Sequence, residues 1–261
     1  MQQTDSAVDL FETGLSILFN EPEVNCGSAG ESITVHFDGH PAIALTLPDT
    51  KAGDVFLFAH HIWKSSVLLS KLLLELDISG CVLELGAGAG LVSIVCCRKG
   101  AECTASDYPA DEILNVLKLN LERNCPGKQY SVWGHAWGQP IDTLHIGRYQ
   151  LIVMADTLWV SNQHGNLLSD IKKLLATDGR LVGACGMHTG QDVVESFLAK
   201  AVLHGLKSTK IGYFCVPIGS GLCENRKWET VRSICHLDVS ERGRHLMAFE
   251  ITHLRNPVAI D

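Results

Sequence analysis

Along this chain the apolar residues change period several times, and each change marks an element. Residues 33–37 alternate apolar and polar, Asp38-Gly39 can turn, and 42–47 continue the alternation, which predicts a small β-hairpin. Across 56–76, Trp63, Val67, Leu68 and Leu72 fall at helical spacing and predict one or two helices, ended by Ser79-Gly80. Residues 81–85 are largely apolar, as a buried parallel strand would be. Glycine then stands at every other position from Gly86 to Gly90, and 91–98 read as a helix.

The same rhythm repeats downstream. Strands are predicted over 101–106, 129–133, 149–155 and 180–185. The helix predicted over 111–123 has Ile113, Leu114, Leu117 and Leu121 on one face. A second, over 164–176, is closed by Asp178-Gly179, and a third, over 192–204, faces inward with Val193, Phe197, Leu198 and Val202. Segments 206–216 and 245–253 alternate as strands with no helix between them. Before the hairpin, 9–23 reads as a short docking arm and 26–32 as a loop. Five strands alternating with helices, then two strands in succession, predict an α/β fold: a doubly wound, mostly parallel, Rossmann-like sheet ending in an antiparallel hairpin. The expected division is an N-terminal arm and hairpin, 1–54, packed on a core domain, 55–261.

The glycine run decides the ligand class. Strand, glycine turn and helix bring backbone N–H groups close to a nucleotide-like ligand. A dinucleotide fingerprint requires G-x-G-x-x-G/A, but here the sixth position is Leu91 and the run is G-x-G-x-G, with Glu84 two residues ahead of it. Asp107 follows the next strand, where a carboxylate can accept from both hydroxyls of a ribose. The alternative is a tight turn that binds nothing. Three strand ends carry distinctive residues: Gly86–Gly90, Asp107, and Ala155-Asp156-Thr157-Leu158-Trp159. In an open α/β sheet these converge on one rim.

Composition narrows the partners. The chain has 261 residues, 46% hydrophobic and 19% charged, so a packed core is expected. A net charge of −8 argues against broad binding to nucleic acid or an anionic membrane and permits a basic protein substrate. No signal peptide or membrane-spanning run is read in the sequence. The 10 cysteines contain no CxxC pair and read as free buried thiols of a cytoplasmic or nuclear protein. The 12 histidines include no HxxxH or HExxH, so no metal site is expected.

These segments together resemble a known family. Glu84-Leu85-Gly86-Ala87-Gly88-Ala89-Gly90 with Asp107 resembles the seven-β-strand S-adenosylmethionine-dependent methyltransferases. Adding Phe19-Asn20-Glu21-Pro22-Glu23, His60-His61-Ile62-Trp63, Asp107-Tyr108-Pro109, Trp137-Gly138 and Asp156-Thr157-Leu158-Trp159 makes the chain similar to the lysine-type (METTL21-like) branch. Within it, the fungal elongation-factor N-terminal and lysine methyltransferases look nearest. The resemblance implies a seven-stranded sheet, S-adenosyl-L-methionine as cofactor, and cofactor contacts at Trp63, Gly86, Ala87, Gly88, Asp107, Trp137 and Ala155. It implies transfer to a protein lysine or N-terminal amine, with a translation factor among the acceptors; separately, a monomer is expected. A small-molecule amine as acceptor, and a non-catalytic binding module, are the competing readings. The chain departs from the family pattern at Trp159, where many relatives carry tyrosine.

The expected chemistry is simple. A sulfonium methyl needs an aligned nucleophile and exclusion of water more than acid–base help. A lysine amine, with a reference pKa of about 10.4, must lose its proton, and aromatic surroundings favour the neutral form. Asp156 and Trp159 are the candidates for orienting and enclosing that amine. For Asp156 the alternative is a helix N-cap. For Trp63, Trp137 and Trp159 it is core packing.

Overall fold

A computed structural model describes residues 25–49, 58–216, 228–232, 234 and 239–254. The arm over 9–23, with Glu21-Pro22-Glu23, lies outside the described residues, as do the expected domain boundary at 54/55 and most of 219–243.

Among the described residues the first elements are β1 (Asn25–Cys26), then β2 (Ser32–Val35) and β3 (Ile43–Thr46), of which β2 and β3 pair antiparallel in the predicted hairpin. β4 (Ile62–Trp63) leads into helix α1 (Lys64–Leu74). β5 (Cys81–Leu85), α2 (Leu91–Arg98), β6 (Glu102–Asp107), α3 (Asp111–Asn124) and β7 (Tyr130–Gly134) follow. Next come β8 (Tyr149–Ala155), α4 (His164–Leu174), β9 (Leu175–Gly186), α5 (Gln191–Lys200), β10 (Leu206–Cys215), β11 (Glu229–Val231) and β12 (His245–His253).

Among the described residues the main sheet has eight strands in the order β11-β10-β12-β9-β8-β5-β6-β7. The seven anticipated strands are all there, and β11 is one more, three residues long, on the outer edge. β9, β8, β5, β6 and β7 run parallel, while β12 is antiparallel to both of its neighbours, β9 and β10. Strand order reverses between β5 and β8, which opens a crevice at their carboxyl ends.

Period-two alternation assigns each residue of the central strands to a face. Val82, Leu151 and Val153 join the cluster with α1, α2 and the hairpin, while Leu83, Leu85, Ile152 and Met154 join the one with α4 and α5. Glu84 shares the face of Val82, so its buried carboxyl meets α2. The hairpin is part of the first cluster: Val35, Ile43, Leu45 and Leu47 are buried there, each contributing roughly 1.5–3 kcal/mol. Its outer strand is paired by side chains. Asn120 accepts from Thr46 N–H (2.9 Å) and donates to Thr46 O (2.8 Å), and Asn124 does the same for Ala44 (3.2 and 2.8 Å). Two amides one helical turn apart thus stand in for a neighbouring strand.

Several boundaries differ from the periodicity, each for a physical reason. Cys26 is not in a loop, because Asn25 and Cys26 pair with Trp63 and Ile62. That pairing holds Trp63 extended, at ψ 146, so the helix starts at Lys64. α4 ends at Leu174, since Leu175 already pairs beside Tyr149; Asp178-Gly179 lies within β9. After Lys200 the chain tightens into a 3-10 turn over Ala201–His204, which rotates Val202 outward to 57% exposure and leaves Val194, Phe197 and Leu198 buried.

Candidate active site

The crevice holds a cavity of about 490 Å³, within the usual range for small-ligand sites. Gly86, Ala87, Gly88, Asp107, Trp63 and Trp137 line it, and so do Ala155, Asp156 and Trp159. Residues as far apart in sequence as Trp63 and Trp159 meet here, around the carboxyl ends of β5, β6 and β8.

On one side the wall is main chain. Gly86, Gly88 and Gly90 have φ of +71°, +53° and +85°, the left-handed region that side chains disfavour. A Cβ on Gly86 would lie 2.5 Å from Thr157 Cγ2. The turn is tied at three points: Ala87 N–H donates to Ser106 O (3.0 Å), Gly88 N–H to Asp107 Oδ2 (2.7 Å), and Asn120 Nδ2 to Ala89 O (2.9 Å). Tyr108 N–H donates to Asp107 Oδ1 (2.7 Å). Burial raises the Asp107 carboxyl above the usual carboxylate range, and the two backbone donors act against that rise.

Beneath the turn, Glu84 Oε2 accepts from Ser93 N–H (2.7 Å) and Ser93 Oγ (2.5 Å), satisfying one of the open donors at the start of α2. Burial pushes this carboxyl up to about 8, against the pull of the Ser93 bonds and helped by the charge on Asp107.

The opposite side is built from side chains. Asp156 follows β8 with φ +53°, the only non-glycine residue in the left-handed region among those described. Its Oδ2 accepts from Ser65 Oγ on α1 (2.5 Å), its Oδ1 accepts from Gly186 N–H at the end of β9 (3.0 Å), and His188 Nε2 is 3.8 Å from Oδ1. Asp156 is therefore a junction between α1, β8 and β9 and caps no helix; the next α-helix starts at His164. Trp159 stands at the rim, 37% exposed, edge-on to Phe58 at 5.3 Å between centroids. Trp63 is edge-on to Phe58 at 6.2 Å and stacks on His188 at 5.4 Å, and its Nε1 donates to Phe58 O (3.1 Å). Trp137 packs against the core and also lines the cavity.

Sequence reading missed four residues here: Ser65, His188, His135 and Asp170. Thr157 was read only as part of the motif around Asp156, and Ser65 and His188 carried no signal of their own. Asp170 did, since it is an acid three residues after Leu167 on the buried stripe of α4.

The profile of the family described as "Lysine methyltransferase" matches residues 44–201. The chain belongs to the lysine methyltransferase family. Among curated relatives, "Protein N-terminal and lysine N-methyltransferase EFM7" of Cryptococcus neoformans is 36% identical over 133 residues, covering 46% of this chain and 44% of the relative. The Gibberella zeae protein of the same name is 28% identical over 185 residues, covering 62% of this chain and 69% of the relative. "Protein N-lysine methyltransferase METTL21A" of mouse is 32% identical over 138 residues, covering 50% and 62%. The match to the first of these thus spans less than half of that relative's length. Among solved structures, YcgJ of Bacillus subtilis aligns with TM-score 0.51 at 12% identity, over 73% of this chain and 99% of that one. Pyrococcus horikoshii TYW2, solved in complex with MeSAdo, aligns with TM-score 0.50 at 11% identity, over 87% and 73%. At such identities the likeness bears on the fold alone.

The lysine methyltransferase family uses S-adenosylmethionine, and the residues present fit it. A side-chain-free turn and the Asp107 carboxylate bonded to it line the cavity together, and the buried Thr157 Oγ1 lining the same space has no partner among the described residues. No helix among the described residues is long and apolar enough to cross a membrane.

Proposed function

We propose that this chain is an S-adenosylmethionine-dependent N-methyltransferase acting on a protein lysine or N-terminal amine. The observation that carries the reading is the 2.7 Å bond between Gly88 N–H and Asp107 at the mouth of a cavity that also holds Asp156 and Trp159. When bound, S-adenosylmethionine supplies an electrophilic sulfonium methyl. Gly86, Ala87 and Gly88 offer main chain to the ligand, and Asp107 offers its carboxylate to the ribose hydroxyls. Trp63 and Trp137 wall the cavity on either side.

For the acceptor, Asp156 is held from behind by Ser65 and Gly186 and orients the amine, while Trp159 and Phe58 exclude water and favour the neutral form. A carboxylate also favours the protonated amine, so the aromatic wall must outweigh it at the moment of transfer. A half-exposed rim suits an acceptor presented by another protein. A translation factor is the acceptor class that the family resemblance suggests, met by a monomer in the cytoplasm.

Calorimetry tests the cofactor. Wild type binds S-adenosylmethionine, and Asp107→Ala, which strips an acceptor from two backbone donors, weakens binding by about tenfold or more. Absence of heat with wild type would sink the reading. Labelled cofactor added with the enzyme to a fungal lysate then separates acceptors: label in a protein band supports a protein amine, and label only in the small-molecule fraction overturns it.

A further inference from the structure

His135 and Asp170 are both buried, the acid fully so. His135 Nε2–H donates to Asp170 Oδ2 (2.9 Å), and Gly138 N–H donates to the same oxygen (2.8 Å). One carboxylate of α4 therefore grips the loop 135–138 at both ends, with Trp137 between the gripped points. The loop has a second anchor, because His135 N–H donates to Asp107 O (2.8 Å). The ring of His135 is clamped as well: it stacks on Trp133 at 4.4 Å, and Trp133 stacks in turn on His145 at 4.1 Å. Gly138 has φ +86°, and a Cβ there would lie 2.6 Å from Asn166 Cγ, so the loop follows one path close against α4. His135, Ala136 and Trp137 line the cavity, whereas Asp170 does not.

A fully buried carboxylate is costly unless it is hydrogen-bonded; Asp170 Oδ1 has no partner among the described residues, and both bonds to Oδ2 are made to the segment that carries Trp137. We propose that Asp170, through His135 and Gly138, is a positioning residue that sets the Trp137 wall of the cofactor site. The inference rests on the cofactor reading given above. Its distinctive consequence is coupling: Asp170 matters for the ligand only while Trp137 is present.

The test is a double-mutant cycle on the full chain, with S-adenosylhomocysteine as the calorimetric probe. Asp170→Ala is expected to weaken binding by about tenfold in the wild-type background and by less than about twofold in a Trp137→Ala background. His135→Phe keeps a ring on Trp133 but removes the bond, and is expected to show a smaller loss with the same dependence on Trp137. Asp170→Asn keeps an oxygen for Gly138 N–H and restores part of the affinity. Equal losses in the two backgrounds would overturn the proposal, since they signify a general structural role, and so would unchanged affinity in folded Asp170→Ala. If Asp170→Ala does not fold, Asp170→Asn and His135→Phe are measured through the same cycle, and unchanged affinity in both overturns it. Wild type that fails to bind the probe removes the cofactor reading together with this inference, and that outcome is seen before any substitution is made.

Discussion

The two sides of the cavity are made of different materials. The β5–β6 side is main chain: three glycines with positive φ, three ties from backbone or amide groups, and an acid whose two oxygens are both bonded to N–H groups. The β8–β9 side is side chain: a strained aspartate held by a serine and a backbone N–H, with indole, phenyl and imidazole rings around it. Backbone fixes a shape that every member of a cofactor-using fold can share. Side chains can be exchanged without moving the sheet. The first side thus suits an invariant ligand, and the second suits an acceptor that differs from one enzyme to the next.

The contrast breaks if a substitution on one side moves the readout of the other. The largest effect is expected on the side-chain side. Asp156→Asn retains the size of the group and loses its charge, and turnover should fall about a hundredfold, as for other groups that orient a nucleophile. Affinity for the cofactor, measured by calorimetry on the same preparation, should stay within about twofold. A parallel loss of cofactor binding would show that Asp156 serves both sides.

Next comes Gly86→Ala. It forces a side chain into φ +71° with its Cβ 2.5 Å from Thr157 Cγ2, at roughly 1–2 kcal/mol for the backbone before Thr157 has moved. Cofactor affinity should drop about tenfold. Because Thr157 belongs to the side-chain wall, this variant also sharpens the comparison: an equal fall in turnover at saturating cofactor would mean that the displaced threonine disturbs Asp156.

The smallest functional effect, and one visible chiefly in stability, concerns Glu84. Its folded value of about 8 lies above the ordinary 4.5. Between these values the unfolded chain releases the proton that the folded chain keeps, so the contribution of Glu84 to stability is fully present below about 4.5 and declines as pH rises toward about 8. The whole decline is on the order of 5 kcal/mol, and Glu84→Gln should flatten it in denaturant titrations between pH 5 and 8. A wild-type stability that is level across that window would contradict the assignment.

The main-chain side was also the more legible in the sequence. Gly86, Gly88 and Asp107 are short-range signals: glycine spacing announces positive φ, and an acid at a strand end announces the rim. Most strand and helix faces were legible for the same reason, the face around Val202 excepted, where a 3-10 turn breaks the helical period. Ser65 acts through a partner 91 positions away and His188 meets Asp156 and Trp63 from another element, and nothing in their own neighbourhood says so. The misplaced start of α1 has a similar cause. Trp63 keeps helical spacing with Val67, yet a two-residue pairing with Asn25 and Cys26 overrides that spacing. Asp170 was readable as an acid on an apolar stripe, but its partner could be named only after β7 and α4 had been brought together.

β12 occupies an interior lane of the sheet, between β9 and β10, although it is the last strand in chain order among those described. A ribosome must therefore release the chain through His253 before that lane can be filled. Until then β9 and β10 each present an unsatisfied row of amides, and nascent or truncated copies carry two adhesive borders that the finished molecule conceals.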